Sequence, residues 1–147
     1  MIAFREFHAT TSGRFDAMDI TDAVHETVKE SGVDEGTALI FAPHTTCCIS
    51  LAAQGEEVTR EIEHLMGIVA PEDIYYAHDD LEVRTENLVD QEPPNARSHI
   101  TYLFAGKPSE SVVVSDGRLV LGDDQRIFLI ELDSPRPRRY CVQVLGR

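Results

Sequence analysis

The sequence predicts an α+β domain, a mostly antiparallel β-sandwich or sheet with its helices gathered on one side. Three observations predict it. The elements do not alternate strand and helix as a doubly wound sheet requires; their order is β, α, β, β, α, a long irregular stretch, α, and then four strands. Asp116-Gly117 stands between two apolar runs, and Asp-Gly supplies the positive φ angles of a two-residue hairpin turn. A chain of 147 residues with 42% hydrophobic content buries about 70% of the surface its unfolded form exposes. That is enough for one core, so residues 1–147 are read as a single domain without a disulfide or metal staple.

Met1–Thr10 loosely alternates Ile2, Phe4 and Phe7, which suits a first strand, and Thr11–Phe15 with Gly13 is a turn. In Asp19–Ser31 the apolar Ile20, Ala23/Val24 and Val28 form a helical stripe, with Asp19 or Thr21 as N-cap and Gly32 as the stop. Thr37–Ala42 and Thr46–Ala53 read as two buried strands joined through Pro43-His44-Thr45. Val58, Ile62 and Leu65/Met66 predict a second helix over Glu56–Met66, ended by Gly67. Pro71–Pro94 is acidic and aperiodic, a long excursion of the kind that tends to serve function. Asn95 then caps a short helix through Phe104, with Ile100, Leu103 and Phe104 expected on its buried side and His99 in or just after its first turn. The hairpin Ser111–Ser115/Arg118–Leu121 follows, then strands at Ile127–Leu132 and Tyr140–Leu145.

Charge narrows the function classes. Thirteen Lys and Arg against 26 Asp and Glu leave a formal charge of −13, and no basic run interleaved with aromatics offsets it, so nucleic acid is not an expected partner. No apolar run approaches the roughly 18 residues that cross a bilayer, and Met1–Thr10 lacks the pattern of a secretory signal. The expectation is a cytoplasmic protein without membrane contact. Three cysteines without a CxxC spacing read as reduced packing residues, adjacent Cys47 and Cys48 facing opposite sides of a strand. The distribution of charge is uneven: Glu56–Glu92 holds twelve acids and two bases (Arg60, Arg84), whereas Ser134–Arg147 carries four arginines and no acid.

The common short catalytic motifs are absent, which leaves the histidines. His8, His25 and His64 read as solvated. His44, His78 and His99 fall at loop junctions, where rigid elements aim side chains into a cleft, and three imidazoles with an open fourth position suit a catalytic zinc. Their separations match no local ligand spacing, so three independent, hydrogen-bonded rings are the alternative. Gln125 and Glu131 flank a strand and are the candidate catalytic pair. Glu131 lies within an apolar run and must be paired: either an ion pair with a nearby arginine, or a general base or an outer partner that fixes a histidine tautomer. Asn95, Arg136 and Arg138 are candidate ligands for a substrate anion, arginine being suited to bidentate phosphate contacts, although an arginine cluster also suits a subunit contact.

Several short segments, in order along nearly the whole chain, resemble the YjbQ-type family, also called uncharacterised protein family 0047. They are Pro43-His44-Thr45-Thr46, Tyr76-Ala77-His78, Asn95-Ala96-Arg97-Ser98-His99-Ile100, Gly117–Gly122 and Glu131–Arg136. The resemblance implies a YjbQ-like α+β sandwich assembled as a homotrimer. It also implies a cleft near subunit contacts in which His44, His78 and His99 hold a metal, zinc-like, or an anion. The family is often labelled secondary thiamine-phosphate synthase, which implies a transferase acting on a phosphorylated metabolite; a non-catalytic trimer that binds a metal or phosphometabolite is the alternative. Two departures stand out. Ala52-Ala53-Gln54 replaces the family's Asn-Glu pair, and Asp123-Asp124 replaces the Thr-Trp of a Leu-Gly-Thr-Trp-Gln segment.

Overall fold

The computed structural model describes residues 1–147 apart from the side chain of Val58. In chain order the elements are β1 (Ile2–Thr10), β2 (Ala17–Asp19), α1 (Thr21–Ser31), β3 (Gly36–Phe41), β4 (Cys47–Ala53) and α2 (Glu56–Val69). A single 3₁₀ turn at Ala77–Asp79 precedes α3 (Ala96–Ala105), and β5 (Ser109–Ser115), β6 (Arg118–Leu119), β7 (Gln125–Glu131) and β8 (Pro137–Gly146) complete the chain. Every pairing is antiparallel. One sheet runs β1-β8-β3-β5-β6 and the other β2-β7-β4, which is the α+β arrangement the element order predicts.

Alternation along the strands builds the core. On β8 the inward residues are Arg138, Tyr140, Val142 and Val144, and on β7 they are Ile127, Leu129 and Glu131. These faces meet, with Ile40 of β3, Ile49 of β4 and Val24 and Val28 of α1 filling the space between; all of these aliphatic side chains are fully buried. Each contributes about 1.5–3 kcal/mol relative to an exposed side chain. Gly32 ends α1 in the left-handed region at φ 68°, as its position predicts. The adjacent cysteines do face opposite ways: Cys47 joins this main cluster, and Cys48 packs with Phe15, Met66 and Leu132 beneath α2 and α3. On the outer face of the five-stranded sheet Phe4, Phe41 and Val113 are exposed.

The hairpin forms as expected. Asp116 (φ 51°) and Gly117 (φ 69°) make the turn, and Val114 pairs with Leu119 across it. Other expectations need correction. The helix α2 runs through Gly67 to Val69, because an exposed glycine in a helix costs only about 1 kcal/mol, and it closes when the Ala70 N–H reaches Met66 O at 2.8 Å. Strand β2, three residues long, is too short to leave a periodic trace. The helix α3 buries Ala96, Ser98 and Thr101, while Leu103 (80% exposed) and Phe104 (71%) face outward. Its N-terminus is capped from a distance. The Asn95 side chain makes no cap bond; Asp79 Oδ1 instead accepts the Ala96 N–H at 2.9 Å.

Candidate functional site

The β3–β4 junction, the start of α3, the end of the 71–94 excursion and the first residues of β8 enclose a cavity of about 660 Å³. Its wall includes His44, His99, Asn95, Arg84, Arg136 and Arg138. These lie far apart in sequence. The antiparallel ladders bring them together: β8 runs beside β3, and Glu131 at the end of β7 stands opposite Cys47 at the start of β4.

Arg138 is the fixed point of this site. It is 5% exposed and lies against Glu131, which is fully buried. Arg138 Nε donates to Glu131 Oε1 at 2.8 Å, and Nη2 donates to Glu131 Oε2 and to both oxygens of Thr46 at 3.0 Å. Burial works against the guanidinium charge, but the Glu131 carboxylate outweighs it and holds the pKa above its ordinary value. Nη1 has no protein acceptor among the described residues, and the residue lines the cavity. Glu131 itself is saturated: besides Arg138 it accepts from Thr11 Oγ1 at 2.6 Å and from the Asp133 N–H at 3.1 Å. A carboxylate so committed holds an arginine in place. Of the alternatives open for Glu131, the geometry shows the ion pair with a nearby arginine.

The histidines occupy different positions. His44 Nε2 lies 3.1 Å from both the amide nitrogen and the carbonyl oxygen of Arg139, and Nδ1 has no protein partner among the described residues. The tautomer decides which of the two backbone groups it bonds. His78 Nδ1 contacts Asp79 Oδ1 at 3.0 Å, and its ring stands 4.7 Å, centroid to centroid, from that of His99. His99 lines the cavity with His44, whereas His78 stands behind His99 outside the wall. Burial lowers the pKa of both His44 and His99; nearby Arg138 adds to the effect at His44, and His78 adds to it at His99. Both rings are therefore disposed to be neutral near pH 7.

Among the described residues, no three His, Cys, Asp or Glu side chains come together as a metal-binding group. The donor chemistry nonetheless has one suitable feature. Asp79 orients His78 through Nδ1 and leaves Nε2 free of that contact, with the ring packed on His99, an arrangement that supports imidazole ligands. Cys47 adds nothing, since burial pushes its thiol up to about 12 and keeps it protonated.

Gln125 does not belong to this site. It begins β7, six residues and about 20 Å of strand from Glu131, and its Oε1 accepts the Gly122 N–H at 2.9 Å. Arg136 lines the cavity while paired with Asp133 at 2.8 Å, and Asn95 donates to that same carboxylate at 2.9 Å. The Asn95 Oδ1 is buried without a partner. The sequence reading missed Arg84, which bonds Glu92 and the carbonyls of His78 and Asn87 and so folds the excursion against the cavity. Its one local signal was to be one of two bases in a strongly acidic stretch.

Fold and cavity define the class: a two-sheet antiparallel α+β domain with an imidazole- and guanidinium-lined cavity at one end of its strands. The chain belongs to the family described as UPF0047 protein YjbQ-like, whose profile matches residues 5–147. It is 33% identical over 143 residues to a UPF0047 protein of Methanothermobacter thermautotrophicus, covering 97% of this chain and 92% of that one. The UPF0047 protein YugU of Bacillus subtilis is 29% identical, with 92% of this chain and 94% of that one covered. The fold resembles the crystal structure of a YbjQ-like protein of unknown function from Sulfolobus solfataricus, at a TM-score of 0.85 and 29% identity over 100% of this chain and 99% of that one.

Proposed function

We infer that the cavity binds the phosphoryl group of a small phosphorylated metabolite. The observation that carries this reading is Arg138: buried, clamped through Nε and Nη2 by Glu131 and Thr46, without an acceptor for Nη1 among the described residues, and lining the cavity. A guanidinium held in this way loses little entropy when it grips an oxyanion. Arg136 supplies a second positive charge, and His44 and His99 supply neutral imidazoles that gain a proton as an anion arrives. A transferase of the thiamine-phosphate synthase type is the finer form of this reading. Departure of pyrophosphate needs its developing charge stabilised, and the arginines are the groups placed to do so. Binding without turnover is the coarser form.

A zinc-like ion is a second reading, favoured by the Asp79–His78 contact and the closeness of the His78 and His99 rings. We also infer a homotrimer. Leu65 and Ile68 on α2 and Leu103 and Phe104 on α3 are all exposed apolar side chains, and a closed ring would cover them. As for location, no helix among the described residues is long and apolar enough to cross a membrane.

Calorimetric titration with inorganic phosphate tests the principal reading. Wild-type protein is expected to bind, and Arg138→Lys, which keeps a charge beside Glu131 but loses the fork, is expected to bind about tenfold more weakly, a loss of about 1.4 kcal/mol. Unchanged affinity in Arg138→Lys, or no binding by the wild type, overturns it. Stoichiometric zinc binding that Ala substitution of His78 and His99 abolishes, alongside absent phosphate binding, favours the metal.

A further inference from the structure

A second cavity, about 500 Å³, shares Asn95 with the first. Arg14, Arg97, Asn95, Ser98 and Asp133 line it, together with Ile74, Tyr75 and Tyr76 of the excursion. Arg14 is its unusual member. The other part-buried arginines all have carboxylate partners: Arg84 with Glu92, Arg97 with Glu72, Arg126 with Asp19, Arg136 with Asp133 and Arg138 with Glu131. Among the described residues Arg14 has none. Its single hydrogen bond runs from Nη2 to Ser98 Oγ at 3.2 Å; Nε is buried with no acceptor, and Nη1 has no protein partner either. Burial and the neighbouring Arg97 lower its pKa, although Asp133, Glu72 and Glu63 offset part of the effect and the Phe15 ring centroid lies 5.7 Å from the guanidinium carbon.

We propose that this cavity is a ligand site of its own, in which Arg14 binds the carboxylate of a small monocarboxylic acid whose apolar or aromatic body lies against Ile74 and Tyr75. The inference stands apart from the reading of the histidine cavity. The charge balance selects the ligand class. Asp79, Asp80, Asp133 and Glu72 also line the cavity, and each is already engaged: Asp79 by the Ala96 N–H and His78, Asp133 by Arg136 and Asn95, Asp80 by the Tyr75 hydroxyl, and Glu72 loosely by Arg97. These four acids repel every added negative charge, so a monoanion is favoured over a phosphate dianion. The α3 N-terminus does not create the site, because Asp79 already occupies its first N–H. The rim sets the body of the ligand: Ile74 and Tyr75 are both exposed apolar side chains, and Tyr76 is anchored by its hydroxyl to Pro71 O at 2.6 Å.

The test follows the Arg14 Nε–Hε resonance by NMR during titration with benzoate as the probe, against inorganic phosphate and chloride at equal ionic strength. A saturable shift with benzoate and little with phosphate is expected, at a Kd of about 1 mM. Arg14→Met is expected to abolish benzoate binding as read by calorimetry. Tyr75→Ala, an exposed position whose loss leaves the fold intact, is expected to weaken it several-fold, and His44→Ala to leave it unchanged. The proposal is overturned by the absence of a benzoate shift, by equal shifts with chloride, by benzoate binding that survives in Arg14→Met, or by an Arg14 resonance that moves with protein dilution alone. The last result would assign its missing carboxylate to a second copy of the chain.

Discussion

Removing the Arg138 side chain while keeping Glu131 isolates a carboxylate that has no exposure to solvent. In Arg138→Met the carboxylate loses its two contacts, with Nε and Nη2, and keeps two bonds, from Thr11 Oγ1 at 2.6 Å and the Asp133 N–H at 3.1 Å. Breaking a buried pair in this way costs about 3–5 kcal/mol, and the two surviving bonds place the cost near the lower bound. For a chain of this size the melting temperature then falls by roughly 10 °C. The double variant Glu131→Leu/Arg138→Met removes both charges at similar volume. The Thr11 hydroxyl can then turn to Arg136 O, 3.1 Å away, so the pair of changes is expected to cost about 2 kcal/mol less than the sum of its parts. Urea denaturation of the wild type, both single variants and the double variant closes the cycle. Additive effects, or a cost below about 1 kcal/mol for Arg138→Met, would refute the account of Glu131 as the group that holds Arg138.

Stability is expected to fall as pH is lowered from 6.5. His44 and His99 have folded-state pKa values below the ordinary 6.5, so the unfolded chain takes up their protons first. Their contribution is complete above 6.5 and shrinks toward the depressed values; denaturation midpoints that rise between pH 6.5 and 5.5 would contradict this. Gly117→Val forces a β-branched residue to φ 69° and is expected to cost about 1–3 kcal/mol, read as a lowered melting temperature. If the proposed homotrimer forms, replacing Leu103 and Phe104, both largely exposed, with Ser is expected to dissociate it in light scattering while leaving the far-UV circular dichroism unchanged. A wild type that is monomeric at micromolar concentration would remove that expectation.

The parts of the fold legible in the sequence were those whose cause is local. Asp116-Gly117 needs only its own backbone preferences to turn, and the stripe of Val24 and Val28 ending at Gly32 needs only helical periodicity. What was not legible depended on distant partners. Asp79 caps α3 from 17 residues upstream, so the cap bond expected of Asn95 does not form. Leu103 and Phe104 were assigned to the buried face because apolarity alone does not reveal whether the covering surface belongs to the same chain. At the site, Glu131's place in an apolar run required a partner, but only the pairing of β7 with β4 and the return of β8 identify Arg138. His44 and His99 share a cavity wall and His78 packs on His99, whereas Gln125, on the same strand as Glu131, is held at its far end. Arg14 escaped notice because a lone arginine after a glycine carries no pattern; its significance lies in the carboxylate it lacks.

The central claim, that the histidine–arginine cavity receives an oxyanion, is tested most directly by titrating the protein with sulfate, whose charge is constant, at pH 6 and pH 7.5 in buffers of different ionisation enthalpy. Bound sulfate raises the depressed pKa values of His44 and His99. The account therefore expects proton uptake on binding and affinity that increases toward pH 6, with both effects lost in His44→Ala/His99→Ala. Sulfate affinity that is independent of pH, or zinc binding at the same residues that releases protons and weakens toward pH 6 while sulfate does not bind, would contradict it.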